Sequence, residues 1–446
     1  MKLWDKGTPV NKAIEEFTIG NDRELDVHLA THDILGSMAH VTMLESVGLI
    51  EKDELPVLLK ELRRLYDEAG SGNFSIADGI EDVHSQVEFL LTQTLGDLGK
   101  KIHSGRSRND QVLLDLKLFT REAIREITES TAALIDILLA RAEETKEILM
   151  PGYTHLQVAM PSSFGLWFSA YAESLSDDLE LLQSAYKITN QNPLGSAAGY
   201  GSSFPLNRQM TTDLLGFENM NYNVVYAQMG RGKVEKIVSF ALANLAATLS
   251  KLAYDVCLFM SQNFNFVSLP PEFTTGSSIM PHKKNPDVFE LTRARCNKLQ
   301  GVPSQISLII NNLPSGYFRD LQMVKEVFLP SFKELNDCLN IAGLALKNMT
   351  VNKSILNDEK YNYLFSVEEV NKLVLNGVPF RDAYKQIGNQ IENGTFTPEK
   401  NVKHVHEGSI GNLCLENIAE KKESVLKRFN FKRLEEAKQQ LLGQGL

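Results

Sequence analysis

The chain has 446 residues, 43% of them hydrophobic and 23% charged, and its formal net charge is −10. This composition is typical of a globular protein that buries a large core, divided into about three domains of ordinary size. The acidic balance argues against general binding to nucleic acid or to a membrane surface, and we expect neither as a partner.

The four cysteines lie far apart and form no paired motif; they are Cys257, Cys296, Cys338 and Cys414. They indicate reduced thiols rather than a disulfide framework or a zinc site. Residues 1–7 carry no apolar signal core, and no uninterrupted apolar run approaches the ~18 residues of a membrane span. We therefore expect a cytoplasmic protein.

Two helices are predicted near the N-terminus. Residues 33–44 have the apolar spacing of a helix. Residues 80–98 predict another, and Glu81 and Asp82 favour its N-terminus through the helix dipole. His84 follows in the same segment, where a capping or core histidine is the simpler interpretation and a functional one the alternative.

A cationic stretch at residues 99–111 introduces the longest helical pattern. It contains Arg106, Arg108 and Asn109. Backbone N–H groups at a helix start, together with an arginine fork, suit a carboxylate or a phosphate. A capped helix with surface arginines explains the same residues equally well, so both interpretations stay open at this point.

Residues 106–150 contain neither Gly nor Pro and predict one helix of ~40 residues, roughly 60 Å long at 1.5 Å per residue. It ends at a tight turn, residues 151–157, which places a hydroxyl, an imidazole and an amide together in Thr154, His155 and Gln157. Histidine is the usual proton carrier near neutral pH, but a single histidine in a turn is more often structural.

Further helices are those of a bundle. Residues 162–192 have a helical pattern, and residues 233–269 again lack Gly and Pro. The centre of the second segment, residues 237–247, is apolar on nearly all faces, which is typical of a helix in the middle of a bundle. The Gly-rich loop at residues 192–204 lacks the spacing of a nucleotide-binding loop, so we expect close backbone approach or a substrate contact there.

Residues 274–290 form a polar loop around which the chain is organised. The loop carries serine hydroxyls, the titratable or cationic heads of His282, Lys283 and Lys284, and the amide of Asn285. Such a set can hold a carboxylate and stabilise negative charge that develops on it. A solvated connection between helices is the ordinary interpretation of any single polar loop.

The C-terminal third is also helical in pattern. Residues 288–299 predict a helix, and residues 313–326 follow with Gln322 and Lys325, which share a helix face at a spacing of i, i+3. A solvated face is the commoner outcome for such a pair. Residues 351–446 form a smaller, more polar helical region, and little of the chain alternates in the manner of strands.

These patterns predict an all-α fold of three helical domains. We place an N-terminal helical domain at residues 1–106, a central long-helix bundle with the polar loop at residues 107–350, and a small C-terminal helical domain at residues 351–446. The helix between Arg108 and His155 is longer than a small substrate, so we expect the bundle to assemble into a multi-subunit helical core.

Four stretches together match one pattern far more specifically than any one of them does. Residues 276–286 resemble the signature loop of the fumarase/aspartase superfamily, all-helical lyases that release fumarate. Residues 103–111, 151–157 and 317–326 are similar to the corresponding stretches of the argininosuccinate lyases within that superfamily. The resemblance covers nearly the whole chain, including residues 377–384, which are similar to that family's third domain.

The chain departs from the family pattern in three places. His282 stands where argininosuccinate lyases more often carry Gln, and His is more typical of adenylosuccinate lyase. The family's N-terminal substrate-contacting Ser is absent from the residues that follow Phe17, where Thr18 or Asn21 are the candidate replacements. Residues 228–233 stand in place of a family Ser-Asp-Arg-Asp-Phe stretch.

The resemblance implies reversible cleavage of argininosuccinate to arginine and fumarate, by elimination across a C–N bond. A proton must leave a carbon next to a carboxylate, which then takes up a second negative charge and needs donors arranged in advance. The resemblance makes Ser277 the base, supported by Lys283 in a closed loop, while the sequence alone leaves Ser278 open. It places His155 in or near the role of the acid, oriented by Glu290.

The same resemblance implies a set of substrate-binding residues that offer cations, amides and hydroxyls: Arg108, Asn109, Thr154, Asn285, Tyr317, Gln322 and Lys325. Tyr317 and Lys325 would hold the arginine-derived end. The chemistry requires no metal and no organic cofactor, and no ligand spacing indicates a metal site. Besides the small-molecule substrate, the implied partner is the chain itself, in a homotetramer whose sites are shared between subunits.

Two alternatives stay open. The first is adenylosuccinate lyase or another fumarate-releasing sister lyase, which His282 favours and residues 106–111 oppose. The second is a non-enzymatic structural protein on the same scaffold. The presence of all the implied proton-transfer residues counts against it.

Overall fold

The computed structural model describes residues 11–444, so the first ten residues of the predicted N-terminal domain, including residues 1–7, lie outside the described part. The helices are, in chain order, α1 (Lys12–Ile19), α2 (Asp22–Asp26), α3 (Ala30–Ser46), α4 (Glu54–Gly70), α5 (Val83–Leu95), α6 (Asp97–Lys100), α7 (Arg108–Thr145), α8 (Phe164–Thr189), α9 (Arg208–Leu214), α10 (Val224–Met229), α11 (Lys233–Phe259), α12 (Asp287–Leu299), α13 (Val302–Ile309), α14 (Val324–Lys347), α15 (Ser366–Leu375), α16 (Phe380–Glu392), α17 (Leu415–Leu426) and α18 (Phe431–Leu442). The predicted all-α class is confirmed.

Short strand pairings accompany the helices: β1 (Leu149–Thr154) antiparallel to β2 (Gln157–Ser163), β3 (Gln191–Asn192) parallel to β4 (Asn219–Met220), and β5 (Val267–Ser268) antiparallel to β6 (Thr350–Val351). The β1–β2 hairpin is longer than the tight turn that the sequence predicts at residues 151–157. Pro151 and Pro161 face each other in the hairpin, and proline conceals a strand pattern in sequence.

Helix α7 is the axis of the protein. It begins with a capping box, in which Ser107 and Asp110 bond to each other's backbone N–H groups, and it continues for 38 residues without Gly or Pro. At 1.5 Å per residue this helix spans roughly 57 Å. The structure therefore confirms the single long helix that the sequence predicts.

The central bundle packs α8 and α14 against α7, and α11 against α8, α12 and α14. Its interior is filled by side chains with no exposed surface, such as Phe164, Leu138 and Leu245. Among the described helices α11 is apolar and long enough to cross a membrane, but 56% of its most apolar window is buried inside the protein. That burial is typical of a core helix in a bundle.

A second core forms around the first half of α7. Helices α3, α4 and α5 bury Met38, Leu58 and Val87 against Leu114 of α7. The approach of α3 to α7 depends on Gly36, since a Cβ there would lie 2.6 Å from Leu114 Cδ2. This packing fixes the starts of α5 and α7 side by side, which is where the charged residues of the site lie.

The C-terminal helices attach to the central bundle in different ways. Helix α17 packs against α7 and α8, and its Val425 belongs to the core of the bundle. Helices α15 and α16 form a small separate cluster around Val370, Ala383 and Ile387. The division of the chain at residues 106 and 350 stays a prediction.

Candidate active site

Five residues predicted to bind substrate line one cleft of about 160 Å³: Arg108, Asn109, Tyr317, Gln322 and Lys325. The cleft lies where the start of α7, the start of α5, α2 and the 3-10 segment Arg319–Met323 meet. Residues more than 200 positions apart in the sequence thus share one small polar space.

Arg108 is the first residue of α7 and is held by the start of α5. Its Nη1 lies 3.0 Å from Glu81 Oε2 and 3.2 Å from Asp82 Oδ2, and its Nη2 donates to Ser85 Oγ at 3.0 Å. Burial raises the pKa of Glu81, but the bonds from Arg108 and Arg319 outweigh it and the pKa lies below its usual value. The arginine is therefore pre-oriented by ionised carboxylates at the edge of the cleft.

Asp110 ties the Gly-rich loop to the start of α7. Its Oδ2 accepts hydrogen bonds from the N–H groups of Gly195 at 3.1 Å and Ala197 at 2.8 Å, while Oδ1 accepts from Ser107 at 2.9 Å. Burial raises the pKa of Asp110 to about 6, against the effect of these donors. Of the two expectations for the loop, close backbone approach is confirmed: a Cβ at Gly195 would lie 2.7 Å from Arg208 Cγ.

Lys325 lies buried at the base of the cleft. Its Nζ is 2.6 Å from Asp22 Oδ1 and 2.5 Å from Asp26 Oδ1. Burial lowers the pKa of the ammonium, but the charges of Asp26 and Asp22 outweigh it and the pKa is raised. The pKa of Asp22 is raised to about 6, chiefly by its own burial, against the attraction of Lys325. Lys325 therefore stays a cation within a cluster of charges.

Gln322 and Arg319 connect the cleft to the end of α1. The segment Arg319–Met323 is a 3-10 helix, and α14 starts only at Val324. Gln322 Nε2 donates to the carbonyls of Thr18 at 3.1 Å and Ile19 at 2.8 Å. Arg319 Nη2 donates to Thr18 O at 2.9 Å and to Glu81 Oε1 at 2.6 Å.

His84 lines the inner wall of the cleft and belongs to a buried ion triad. Its Nδ1 is 2.8 Å from Asp33 Oδ1 and 3.4 Å from Asp115 Oδ2, and all three side chains are buried. Burial lowers the pKa of the imidazole, but Asp33 and Asp115 outweigh it and raise the pKa to about 10. The three groups are close enough to hold a metal ion, and the same distances suit an imidazolium between two carboxylates. The triad therefore places buried charged groups against the cleft.

The remaining predicted residues lie outside this cleft. Thr154 and His155 occupy the tip of the β1–β2 hairpin, beyond the far end of α7, and both are exposed. His155 and Leu156 form the two-residue turn, with φ of 55° and 57°. Positive φ at both central positions defines a type I′ hairpin turn and is unusual for residues other than Gly, Asn and Asp.

The polar loop is also open to solvent within one chain. A bridge between Thr275 and Asn285 closes its base, with Asn285 N donating to Thr275 O at 2.9 Å. Inside it, Ser277 Oγ accepts hydrogen bonds from Ile279 N at 3.3 Å and Met280 N at 3.1 Å. Two N–H donors aimed at one hydroxyl oxygen stabilise negative charge on that oxygen.

Lys283 and Glu290 complete the predicted catalytic set, and both are exposed. Glu290 lies in the first turn of α12, directly after the loop. Within the described part of one chain, no ion pair or hydrogen bond joins Glu290 to His155. The structure therefore brings the predicted binding residues of α7 and the 317–325 segment together, and leaves the predicted proton-transfer residues apart from them.

Several charged residues that line the cleft were not predicted from the sequence as site residues: Asp22, Asp26, Glu81, Arg231 and Arg319. Asp22 and Asp26 are spaced i, i+4 in the region after Phe17, where the chain differs from the family pattern. That spacing was the sequence signal available for these two residues. Neither proposed replacement for the family serine lines the cleft. The Thr18 hydroxyl bonds to carbonyls of its own helix, and Asn21 is exposed.

Comparison with known proteins identifies relatives that cover the whole length of this chain. A family model described as a lyase matches residues 6–301. The argininosuccinate lyase of Parabacteroides distasonis is 66% identical over 441 residues, 99% of each chain, and that of Bacteroides thetaiotaomicron is 65% identical over 442 residues.

The chain belongs to the argininosuccinate lyase family. The resemblance drawn from the four motifs is thereby confirmed. A solved structure of an EDDS lyase in complex with formate is similar in fold to this family member, with a TM-score of 0.77, 22% identity, and coverage of 98% of this chain and 96% of that one.

Proposed function

We propose that this chain is a carbon–nitrogen lyase that cleaves argininosuccinate reversibly to L-arginine and fumarate, as a step of arginine biosynthesis. The observation that carries the proposal is the 66% identity over 99% of both chains to a curated argininosuccinate lyase. The cleft adds chemical support, because its paired cations and carboxylates suit a substrate with several carboxylates and an amino-acid end.

The proposed binding residues contact different parts of the substrate. Arg108 and Asn109, at the start of α7, hold a carboxylate of the succinyl part through a guanidinium fork and an amide. Tyr317, Gln322 and Lys325 hold the arginine-derived end. Because Arg108 is already oriented by ionised carboxylates, little side-chain freedom is lost when the substrate arrives.

Ser277 is the proposed base, and the loop geometry supports it over Ser278. Its oxygen accepts from two backbone N–H groups, which stabilise the alkoxide that must form before proton abstraction. Closure of the loop brings Lys283 and Asn285 to the carboxylate that gains charge. His155, with Glu290, supplies the proton for the leaving nitrogen.

The active site is proposed to be shared within a homotetramer. The start of α7 carries Arg108, and roughly 57 Å of helix separates it from the hairpin that carries His155. Antiparallel packing of α7 against a second copy brings these two ends together. The bundle helices also expose large apolar side chains, among them Phe240, Leu291 and Leu308, which a neighbouring subunit would cover.

One assay tests the function. Purified protein is mixed with argininosuccinate and then with adenylosuccinate, and fumarate is followed by ultraviolet absorbance. We expect fumarate from argininosuccinate only, with heat-inactivated protein as the control. Release from adenylosuccinate instead would support the alternative that His282 favours. Release from neither would leave the chain as a structural protein on this scaffold.

We place the enzyme in the cytoplasm, in keeping with four free thiols.

Complementation tests the sharing of sites. Arg108→Ala and His155→Ala are each expected to be nearly inactive, since each removes one essential end of every site. After mixing, dissociation and reassembly, part of the activity should return, because some sites then take intact residues from different chains. Each variant reassembled alone is the control. Confirmed mixed oligomers without activity would contradict the shared site.

A further inference from the structure

Ala197 lies in the Gly-rich loop with a backbone conformation that is unfavourable for alanine. Its φ is 52°, in the left-handed region where a Cβ costs free energy and Gly is preferred. A residue keeps such a conformation only where its surroundings hold it there, and residues held in this way are common at functional sites. The contacts of Ala197 therefore identify the groups that hold this part of the loop.

Two buried side chains hold the Ala197 residue, one at its N–H group and one at its carbonyl. Asp110 Oδ2 accepts from Ala197 N at 2.8 Å, and Gln228 Nε2 donates to Ala197 O at 3.2 Å. Gln228 Nε2 also donates to Ser196 Oγ at 3.2 Å, and a Cβ at Gly199 would lie only 2.8 Å from Gln228 Cγ. Asp110 is 0% exposed and Gln228 is 1% exposed. The loop is therefore clamped between α7 and α10.

Gln228 is unfavourable for folding in one respect. In the described part of the chain its Oε1 is buried and has no hydrogen-bond partner. Turning the amide round would not pair it, because Nε2 is needed as the donor to a backbone carbonyl. A buried acceptor without a partner is destabilising. An apolar side chain of the same length would avoid this cost, so folding alone does not account for a glutamine at this position.

The clamp acts on the start of α7, where two of the cleft residues lie. Asp110 is the third residue of α7 and directly follows Arg108 and Asn109, which line the cleft. Its Oδ1 accepts from Ser107 N at 2.9 Å and completes the capping box, while its Oδ2 is bonded to the loop. One carboxylate thus joins the loop to the turn that carries Arg108 and Asn109. A displaced loop would displace this carboxylate and, with it, the guanidinium and the amide.

We propose that Gln228 is a positioning residue for the reaction: it locks the Gly-rich loop at Ala197, and the locked loop holds Asp110. Asp110 in turn fixes the orientation of Arg108 and Asn109 towards the carboxylate of the succinyl part. Gln228 is not among the described residues that line the cleft, so it acts through these contacts. The inference rests on the proposed function, whose substrate has a succinyl part.

The first test uses Gln228→Met, which keeps the length of the side chain and removes both the donor and the unpaired acceptor. The KM for argininosuccinate and the inhibition constant of fumarate should each rise about tenfold, because both ligands carry the carboxylate that Arg108 and Asn109 hold. The kcat should change by less than about threefold, since a contact made equally in the ground state and the transition state affects KM alone. Inhibition by arginine, which lacks the succinyl part, should stay unchanged.

Thermal unfolding separates positioning from structural support. Gln228→Met should change the thermal midpoint little, because the unpaired acceptor is removed together with the donor. A purely structural glutamine would instead lower the midpoint and weaken arginine as much as fumarate. Gln209→Met replaces an exposed glutamine of α9 and is the matched control. It should change neither the inhibition constants nor the midpoint.

The second test relieves the strain in the loop. Gly adopts positive φ about as readily as negative φ, so a glycine at position 197 needs less support from Gln228. In the Gln228→Met background, Ala197→Gly should bring the inhibition constant of fumarate back to within about threefold of the wild-type value. Ala198→Gly, at the exposed next residue, which has no positive φ, should restore nothing. Equal effects of the two glycine substitutions would contradict the lock at Ala197.

The outcomes are distinguishable. A wild-type protein that releases no fumarate from argininosuccinate overturns the proposed function and the inference with it. An active wild type in which Gln228→Met leaves fumarate inhibition unchanged, or weakens fumarate and arginine equally, overturns the inference alone. If Gln228→Met does not fold, Ala197→Val decides, because a β-branched residue disfavours positive φ and displaces the same loop. Selective loss of fumarate affinity is then expected, and an equal loss for both ligands, or none, contradicts the inference.

Discussion

The functional residues near the two ends of α7 differ in how many contacts they make within one chain. Beside the start of the helix, Arg108 and Lys325 each contact two carboxylates, and they line a cleft to which α2, α7 and α14 of one chain contribute. Beyond the other end, His155 is exposed at a hairpin tip, and Lys283 is exposed in the polar loop. The binding groups of the cleft are thus held in place by the fold. Under the proposed shared site, the proton-transfer groups would be brought to the substrate by loop closure and by a neighbouring subunit.

This difference has an electrostatic reason. Cations and carboxylates that are buried must be paired, so the cleft needs its own counter-charges even without substrate. A serine that acts as a base needs a dry, closed environment only during the reaction. An open loop can provide that environment transiently, and it must open again to release the product.

We expect the largest effect, on turnover, from a substitution in the exposed polar loop. Ser277→Ala removes the oxygen that accepts from Ile279 and Met280, and turnover should fall by a factor on the order of 10² or more while substrate binding largely survives. Steady-state kinetics with argininosuccinate measure both quantities. Ser278→Ala is the matched control and should retain most activity. Near-normal turnover in Ser277→Ala would end the assignment of the base.

We expect the next largest effect, on the free energy of unfolding, from a substitution in the buried triad of His84. His84→Gln removes the cation that contacts buried Asp33 and Asp115, and it should lower the free energy of unfolding by about 3–5 kcal/mol near pH 6. The folded pKa of His84, about 10, lies above that of a free histidine. Its stabilisation is therefore fully present below the free value, near 6.5, and is lost as pH rises towards the folded value.

Denaturant unfolding of wild type and His84→Gln at pH 6 and at pH 9.5 measures this difference. The gap between the two proteins should shrink markedly at the higher pH. His28→Gln changes an exposed histidine near the same core and serves as the control. A gap that is equal at both pH values would mean that the charge of His84 does not carry its contribution.

We expect the smallest effect in the rate at which trypsin cleaves the polar loop with and without ligand. Lys283 and Lys284 are exposed, and Ile279 is 82% exposed, so trypsin should cut this segment first in the ligand-free protein. Added fumarate plus arginine should slow that cleavage several-fold, because a closed loop hides the same bonds. Cleavage at other exposed lysines gives the internal control. Equal rates with and without ligand would count against a closing loop.

The sequence by itself determined the local structure and the family. The absence of Gly and Pro and the Ser107–Asp110 capping box specify α7, because both act within a few residues along the chain. The four motifs identify the family for the same reason, since each is a contiguous stretch. The β1–β2 hairpin escaped prediction because Pro151 and Pro161 interrupt its pattern.

Only the tertiary structure decided which charges share a site. Lys325 meets Asp22 and Asp26 because α14 packs against α2, across some 300 positions of sequence. Whether a charged side chain is paired or has a free donor, as with Arg231 Nη1, depends on the groups that packing places around it. No local pattern carries that information, because Coulomb attraction and desolvation depend on distance in space and on burial.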